Sequence, residues 1–402
     1  MDEMYPAKRI RYEEGEQPEP QGEYETKGKE CTLFKLVVPY ISEDKKGNRF
    51  RDSEFHPDYV HQIYDEDEIL RGYKNPAVNI TICATNLLCF YSFKHEGIDT
   101  ANTKRKLMKK IFSTYLPEGS TNNKEDFIHQ YESFDNKIVG EKRLEYNDKN
   151  NEKYIMTYSK LESQTEKDLF ERFHKLSLFF VDSASAVKAD PFVWSILFIY
   201  HIPSDSSRPP YIIGYTSIYT FTNPFHKPQQ SIRICQMFVY PSYRKLGHGY
   251  RMMNETYKLA KELNNYIVTV ESPCEDFVML RDIYDIRRMK EQHILYKEEE
   301  GISNGWSGER TNEEYQQAAS LLLCPVDQVK RVYDILRLYY IDTDNETEYK
   351  NYRISVKKRL GRFYREELSA IQDPEQVKTF FTEIYEDEEK VYKNVLKAAF
   401  KE

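Results

Sequence analysis

A strand, a short glycine-bearing turn and a helix follow one another between residues 232 and 263, and this succession constrains the fold more than any other part of the chain. Residues 232–240 (IRICQMFVY) are rich in β-branched and aromatic side chains and stop at Pro241. Tyr250, Met253, Tyr257, Ala260 and Leu263 recur at spacings of three and four, which lays them along one helical face. Between the two stands Arg244-Lys245-Leu246-Gly247-His248-Gly249. Such a turn makes a site for phosphate: its amides point one way, the helix N-terminus adds partial positive charge, and glycine lets a ligand approach the backbone. The spacing R-x-x-G-x-G lacks the Gly-Lys-Ser/Thr ending of a Walker loop and the third glycine of the dinucleotide fingerprint.

The flanking segments give the turn a setting. Ser163 with Glu166 predicts a capping box, and Leu169, Phe173, Leu176 and Phe180 continue a helix from it. Three strands follow, over residues 193–201, 211–221 and 232–240, separated by Pro- and Ser-rich turns as hairpin connections require. After the turn and its helix, residues 266–271 form one more strand, closed by Ser272-Pro273. The order and the R-x-x-G-x-G spacing together resemble the core and pyrophosphate loop of the acyl-CoA-dependent N-acyltransferases, the GNAT superfamily.

At 402 residues the chain has room for two or three domains. Residues 1–28 are polar, rich in Pro and Glu, and read as a disordered tail. Within it Lys8-Arg9-Ile10-Arg11 is a weak candidate for nuclear import. Residues 29–160 mix strands (32–40 and 77–93) with a helix near 104–115 and read as an α/β N-terminal domain. The acyltransferase core occupies 161–295, and 300–402 read as a helical bundle, so the fold class is α+β. In the bundle Pro325 opens a helix carrying Val329, Val332, Leu336 and Tyr340. A second helix starts near Asn345, and Asp373-Pro374 starts a third with Val377, Phe381, Ile384, Val391 and Val395 as its apolar face. On the second, Lys350, Arg353, Lys357, Lys358, Arg359 and Arg362 read as a solvated face, with contact to an acidic partner as the minor alternative.

A net charge of −8 argues against generic binding to nucleic acid, which wants a basic face. The six cysteines form no C-x-x-C pair and read as reduced core residues, so no metal site is expected. The first residues have no apolar core for a secretory signal, and no run is long enough to span a bilayer, so the expectation is a soluble protein of the cytoplasm and nucleus.

Longer motifs narrow the resemblance to one family, the type B histone acetyltransferase catalytic subunits. RICQMFVYPSYRKLGHG is similar to the family's cofactor motif. VESP followed by Leu280-Arg281-Asp282 looks like its V-E-D-P…L-R-D, and FVDSAS (residues 180–185) looks like its F-I-E-T-A-S. CTLFKLV, FHPDYVHQ (55–62) and GYK (72–74) resemble its N-terminal domain, and QVKRVYDILRL and YKNYRISVKKRL its C-terminal helices. The match runs in order from about Cys31 to the end. It implies acetyl transfer from acetyl-CoA to lysine ε-amines in the N-terminal tail of newly made, free histone H-four. It also implies a WD-repeat β-propeller partner that binds histone.

A lysine attacks a thioester only when neutral, and its ordinary pKa is about 10.4, so a base is required. The family's general-base glutamate falls on Glu271, at the end of the strand after the loop helix. Two departures stand out. The acidic residue that follows the glutamate in the family is Ser272 here, and the glutamate of F-I-E-T-A-S is Asp182, one methylene shorter. Asp182 is a candidate auxiliary base or lysine-orienting group, with a helix-end capping role as its plain alternative. The resemblance lays acetyl-CoA along the backbone of Met237, Phe238 and Val239, with pyrophosphate on Arg244, Lys245, Leu246, Gly247, His248, Gly249 and Tyr250. An amide of Phe238 or Val239 would stabilise the oxyanion.

For the substrate, Asp65, Glu66, Asp67 and Glu68 form an acidic strip suited to a tail rich in Lys and Gly. Tyr219, Thr220 and Phe221 match the family's peptide-contacting strand end. Two other readings stay open from sequence: an acetyltransferase for another protein or a small amine, and a histone escort without catalysis.

Overall fold

The computed structural model describes residues 24–39, 50–64, 66–96, 109, 111–297, 305–306 and 308–400. The Lys8–Arg11 cluster, Asp65 and half of the helix expected over 104–115 lie outside the described residues, although 109 and 111–115 are helical. The chain divides into two compact units, Met1–Thr220 with Ile234–Met252, and Phe221–Arg233 with Met253–Glu402.

The first unit begins with β1 (Glu25–Lys27), inside the stretch expected to be tail. It pairs antiparallel with β4 (Ile69–Arg71). A four-stranded sheet follows, in the order β3-β2-β5-β6, from β2 (Thr32–Pro39), β3 (Phe50–Phe55), β5 (Lys74–Cys83) and β6 (Cys89–Glu96). β2 and β5 are parallel; the outer pairs are antiparallel. On β5, Pro76 to Ile82 alternate between buried and half-buried, the period-two signature of a sheet packed on one side. Helix α1 (Lys124–Glu132), capped by Asn123, sets Phe127 and Tyr131 against Val37 and Cys83.

The second sheet has six strands in the order β12-β11-β10-β9-β8-β7. β7 (Glu141–Asn147) and β8 (Lys153–Ser159) were expected in the N-terminal domain, yet β8 pairs with β9 (Trp194–Ile202) from Lys153↔Ile202 to Ser159↔Ile196. The boundary expected at 160 therefore falls inside one sheet. β7 is a polar edge strand (EKRLEYN) whose sequence carries little sign of the sheet it joins. Helix α2 (Gln164–Leu176) starts with the predicted Ser163–Glu166 capping box and buries Leu169, Phe170, Phe173 and Leu176. β10 (Tyr211–Thr222) and β11 (Gln230–Val239) lead to helix α3 (His248–Glu262), and β12 is three residues long (Val268–Val270). The division between units passes through β11 and α3. Leu263, expected on the apolar face of α3, lies past its end and is 41 % exposed.

The rest of the second unit is helical: α4 (Glu275–Glu291), α5 (Asn312–Leu322), α6 (Val326–Tyr340), α7 (Glu346–Phe363), α8 (Arg365–Ala370) and α9 (Pro374–Ala399). Val329, Val332 and Leu336 are fully buried, as their spacing predicted. Two expectations are corrected. On α9 Val395 is buried as expected, but Val391 faces solvent and its neighbour Tyr392 takes the inward position. On α7 the cations are not one solvated face: Arg359 turns inward to Asp334 and Glu388, each at 2.9 Å, and Arg353 lies over the rings of Tyr349 and Tyr385. Lys350, Lys358 and Arg362 remain exposed. Cys31, Cys83, Cys89 and Cys324 are buried free thiols, Cys235 is half-buried and Cys274 is exposed. Among the described residues no helix is long and apolar enough to cross a membrane.

Candidate active site

The strand that leads to the phosphate turn is set by a close backbone contact. Gly214 on β10 leaves room for β11: a Cβ there would stand 2.5 Å from the Phe238 carbonyl oxygen. Tyr240 donates its amide to Ile213 O at 3.0 Å. Bonds of an antiparallel pair alternate from residue to residue, so Phe238 points its carbonyl and amide toward β10 and Val239 points both away. The Arg244 Nε donates to the Val239 carbonyl at 3.0 Å, consistent with that direction. Of the two amides proposed for an oxyanion, Val239 is therefore the one facing off β10. Along β11 the side chains of Ile234, Gln236 and Phe238 are buried, and those of Cys235, Met237 and Val239 are half-buried on the opposite face.

The turn itself departs from ordinary backbone at two positions. Lys245 has φ +62° and Gly247 has φ +84°. A Cβ on Gly247 would meet the Arg251 guanidinium at 2.6 Å, because Arg251 folds back and donates to the carbonyls of Leu246 and Gly247. That guanidinium also lies 4.4 Å from the centroid of the Tyr146 ring. With its last carbonyl capped in this way and α3 beginning at His248, the turn directs its amides outward at a helix N-terminus.

His248 is buried at 2 % exposure. Its Nδ1 lies 2.7 Å from the Tyr146 hydroxyl, its ring meets Tyr154 edge-on at 4.5 Å, and its Nε2 has no hydrogen-bond partner. Burial, with the nearby Arg251 charge, pushes its pKa down to about 4, so the ring is neutral at physiological pH. A neutral histidine tolerates burial and leaves the positive potential at the turn to the amides and arginines.

Arg244, expected to reach for phosphate, is already engaged. Besides Val239 it pairs with Asp58 at 2.9 Å, and its guanidinium lies 5.7 Å from the centre of the Phe238 ring. Farther along, His61 stands between two of the predicted carboxylates. Its Nε2 is 3.5 Å from Asp182 Oδ1, and its Nδ1 is 3.8 Å from Glu68 Oε1. Asp182 is not a helix cap: α2 ends at Leu176 and a 3-10 turn (Ser177–Phe179) intervenes. The acidic strip is largely compensated. Asp67 pairs with Arg71, which keeps its carboxyl below the usual range, and Arg71 also holds Glu25 at 3.1 Å. Burial alone would raise Glu68, but Lys29 at 3.1 Å and the Val60 amide bring it below the usual range. Glu66 is exposed.

Tyr219 is half-buried and packs edge-on against Trp194 at 4.9 Å, and Thr220 donates its amide to Val193 O. These belong to the first unit. Phe221 belongs to the second, where Arg233 covers its ring at 4.6 Å. Glu271 also lies in the second unit, exposed, one residue past β12, and Ser272 after it has φ +36°. Tyr266 donates to Gln230 O and Ile232 to Ile267 O, so the chain entering β12 runs parallel to the start of β11.

Two family models match the sequence: "Histone acetyl transferase HAT1 N-terminus" over residues 24–182 and "Acetyltransferase (GNAT) family" over 194–275. A histone acetyltransferase type B catalytic subunit of Dictyostelium discoideum is 28% identical over 340 residues, covering 81% of this chain and 67% of its own. The Homo sapiens protein of that name is 21% identical, with 77% of this chain and 75% of its own covered. That of Mycosarcoma maydis is 24% identical, with 81% and 79% covered. The chain matches both models and is similar over most of its length to type B histone acetyltransferase catalytic subunits.

Its class is thereby an acetyl-CoA-dependent acetyltransferase with a GNAT core. The residues present are compatible with that cofactor. Gly247 holds φ +84°, where a Cβ would press on the end of Arg251, and α3 begins at His248 with first-turn amides that its own helix does not use. Sequence reasoning reached the turn because its signal is local. It missed Asp58, His61, Tyr146 and Arg251. Only Arg251 carried a local sign, four residues after Gly247 on the same helical turn; the other three are brought in from distant segments.

Proposed function

We propose that this protein transfers the acetyl group of acetyl-CoA to lysine ε-amines in the N-terminal tail of newly synthesised, free histone H-four, with Glu271 as general base. The observation that carries the reading is the match to the HAT1 N-terminus over residues 24–182, directly ahead of the acetyltransferase match at 194–275. The second segment speaks for acetyl transfer in general, and the first is described by a histone acetyltransferase. Acetyl-CoA supplies an activated acetyl thioester when bound.

The chain's own residues divide the remaining work. Amides of the turn from Arg244 to Tyr250 hold pyrophosphate, and the Val239 amide, aimed off β10, donates to the carbonyl oxygen as negative charge develops there. Glu271 takes the proton that lysine must lose before it attacks. Asp182, with His61 beside it, orients the incoming amine, and Glu66 offers an exposed carboxylate to a basic tail. Tyr219 and Thr220 line the tail. We further propose a WD-repeat propeller that binds histone as the partner, and residence in cytoplasm and nucleus.

The test is acetyl transfer from labelled acetyl-CoA to a histone H-four tail peptide, with the wild type compared to Glu271→Gln. The expected loss is about 10²- to 10⁴-fold in turnover, the usual contribution of a positioned base, with acetyl-CoA binding retained. Equal turnover in both proteins would remove Glu271 from the role. Absence of transfer by the wild type, alone and with its propeller partner, would overturn the histone reading.

A further inference from the structure

We propose that Asp58 is a positioning residue for acetyl-CoA, acting through Arg244. The two are 186 residues apart in sequence, and the Asp58 carboxylate meets the Arg244 Nη2 at 2.9 Å. Asp58 follows β3, and its backbone is fixed independently of the phosphate turn. Its amide and that of Tyr59 both donate to the Phe179 carbonyl, at 2.9 and 3.0 Å, in the 3-10 turn after α2. Arg244 is the first residue of the phosphate turn, and its Nε is bonded to the last carbonyl of β11. Its guanidinium is therefore held from two sides, by the end of the strand that leads into the turn and by a carboxylate carried on another segment.

Both side chains are about two-fifths exposed, 40 % for Arg244 and 39 % for Asp58. Exposed ion pairs of this kind add little to stability, so the fold does not depend on it. What the pair does is restrict a long, rotamer-rich side chain at the mouth of an anion site. Arg has five N–H donors; one bond to Val239 and one to Asp58 leave others for phosphate oxygens, in a plane already fixed. A ligand then binds without ordering that side chain itself. The carboxylate's own charge is offset by the guanidinium it holds, so the ordering effect outweighs its repulsion of pyrophosphate.

The inference rests on the phosphate turn belonging to acetyl-CoA and is independent of which amine is acetylated. Calorimetric titration of acetyl-CoA into the full-length chain tests it with Asp58→Asn, Asp58→Glu, Arg244→Ala and the Asp58→Asn/Arg244→Ala double variant. Asp58→Asn is expected to weaken binding about threefold to tenfold, the scale of ordering one such side chain. Asp58→Glu, which can re-form the pair, is expected to restore most of the loss, and the melting temperature should stay at the wild-type value. In the Arg244→Ala background, adding Asp58→Asn should change affinity by less than about twofold, since a residue acting through Arg244 has nothing left to act on. Wild-type affinity or tighter in Asp58→Asn, or the same loss with and without Arg244, would overturn the proposal. No binding of acetyl-CoA by the wild type would instead sink the reading of the turn, and the proposal with it.

Discussion

The Tyr146 hydroxyl lies 2.7 Å from Nδ1 of His248, joining the edge strand of the second sheet to the first residue of helix α3. The bond satisfies one nitrogen of a buried imidazole whose other nitrogen has no partner. Tyr146→Phe leaves both unpaired, and a loss of about 1–3 kcal/mol is expected, the cost of an unsatisfied buried polar group. Chemical denaturation of both proteins at pH 7.5 checks it. An unchanged midpoint would show that the hydroxyl carries no such bond.

Stability should fall as the solution is acidified below neutral. Burial depresses His248 to about 4 and His174, 1 % exposed with neither ring nitrogen bonded, to about 3. In the unfolded chain both titrate near 6.5. Between about pH 6.5 and 3 the unfolded state therefore binds more protons than the folded one, so stability is full above that window and is lost as pH drops through it. Thermal melts of the wild type and His174→Phe at pH 7.5, 5.5 and 4.5 measure this. The variant should lose less on acidification, and parallel curves would rule out His174 as a contributor.

Gly247→Ala should weaken acetyl-CoA while leaving most of the fold intact. At φ +84° a side chain is strained by about 1–2 kcal/mol, and its Cβ presses on the far end of Arg251, which can move. Moving Arg251 uncaps the turn carbonyls. An affinity loss of about tenfold is expected by calorimetry, on the scale of that strain. Wild-type affinity would mean that the turn does not need this conformation to hold phosphate.

Gly214→Ala is the harsher change, although Gly214 lies in no glycine motif. Its Cβ would stand 2.5 Å from a backbone oxygen of β11, with Val239 atoms at 3.1 Å, so the strand itself must shift. A cost of about 1–3 kcal/mol in stability is expected from the overpacking, together with a fall in acetyl transfer because Val239 moves. Full activity in the variant would show that β11 adjusts without disturbing the amide.

The Leu280-Arg281-Asp282 motif acts in the helical bundle. Asp282 is fully buried and bonded to Arg331 at 2.9 Å and to Gln328 at 3.1 Å; Arg331 continues to Glu388 on α9. Removing Asp282 takes one of two carboxylates from the largely buried Arg331, which keeps Glu388, so Asp282→Ala should destabilise the protein by about 1–3 kcal/mol, the cost of the lost buried bonds. Adding Arg331→Met should recover much of that in a urea titration. A double variant as unstable as the sum of the singles would show that the two do not act as a pair.

Some of this organisation was legible because it depends on near neighbours in sequence. The Ser163 capping box, the Asn345 and Asp373 caps, and the buried Val329, Val332 and Leu336 appear where spacing placed them. Where reading failed, a distant partner was deciding. Residues 141–147 read as part of the N-terminal domain until β7 pairs with β8, and β8 with β9. Val391 looks like core until Tyr392 takes the inward position and bonds Glu388. Arg359 looks solvated until Asp334 and Glu388 meet it. The acidic strip looks free until Lys29 and Arg71 neutralise two of its carboxylates.

The sequence by itself determined the succession of strand, turn and helix that makes the phosphate site, since glycine tolerance, cap chemistry and helical period act over a few residues. It also carried the resemblance to type B histone acetyltransferases, in motifs spread over most of the chain. The tertiary structure alone decided which amide of β11 faces away from its neighbour, that Arg244 is held by Asp58, and that His61 stands beside Asp182. Those relations depend on strand register and on contacts between segments more than a hundred residues apart, and neither is encoded in local spacing.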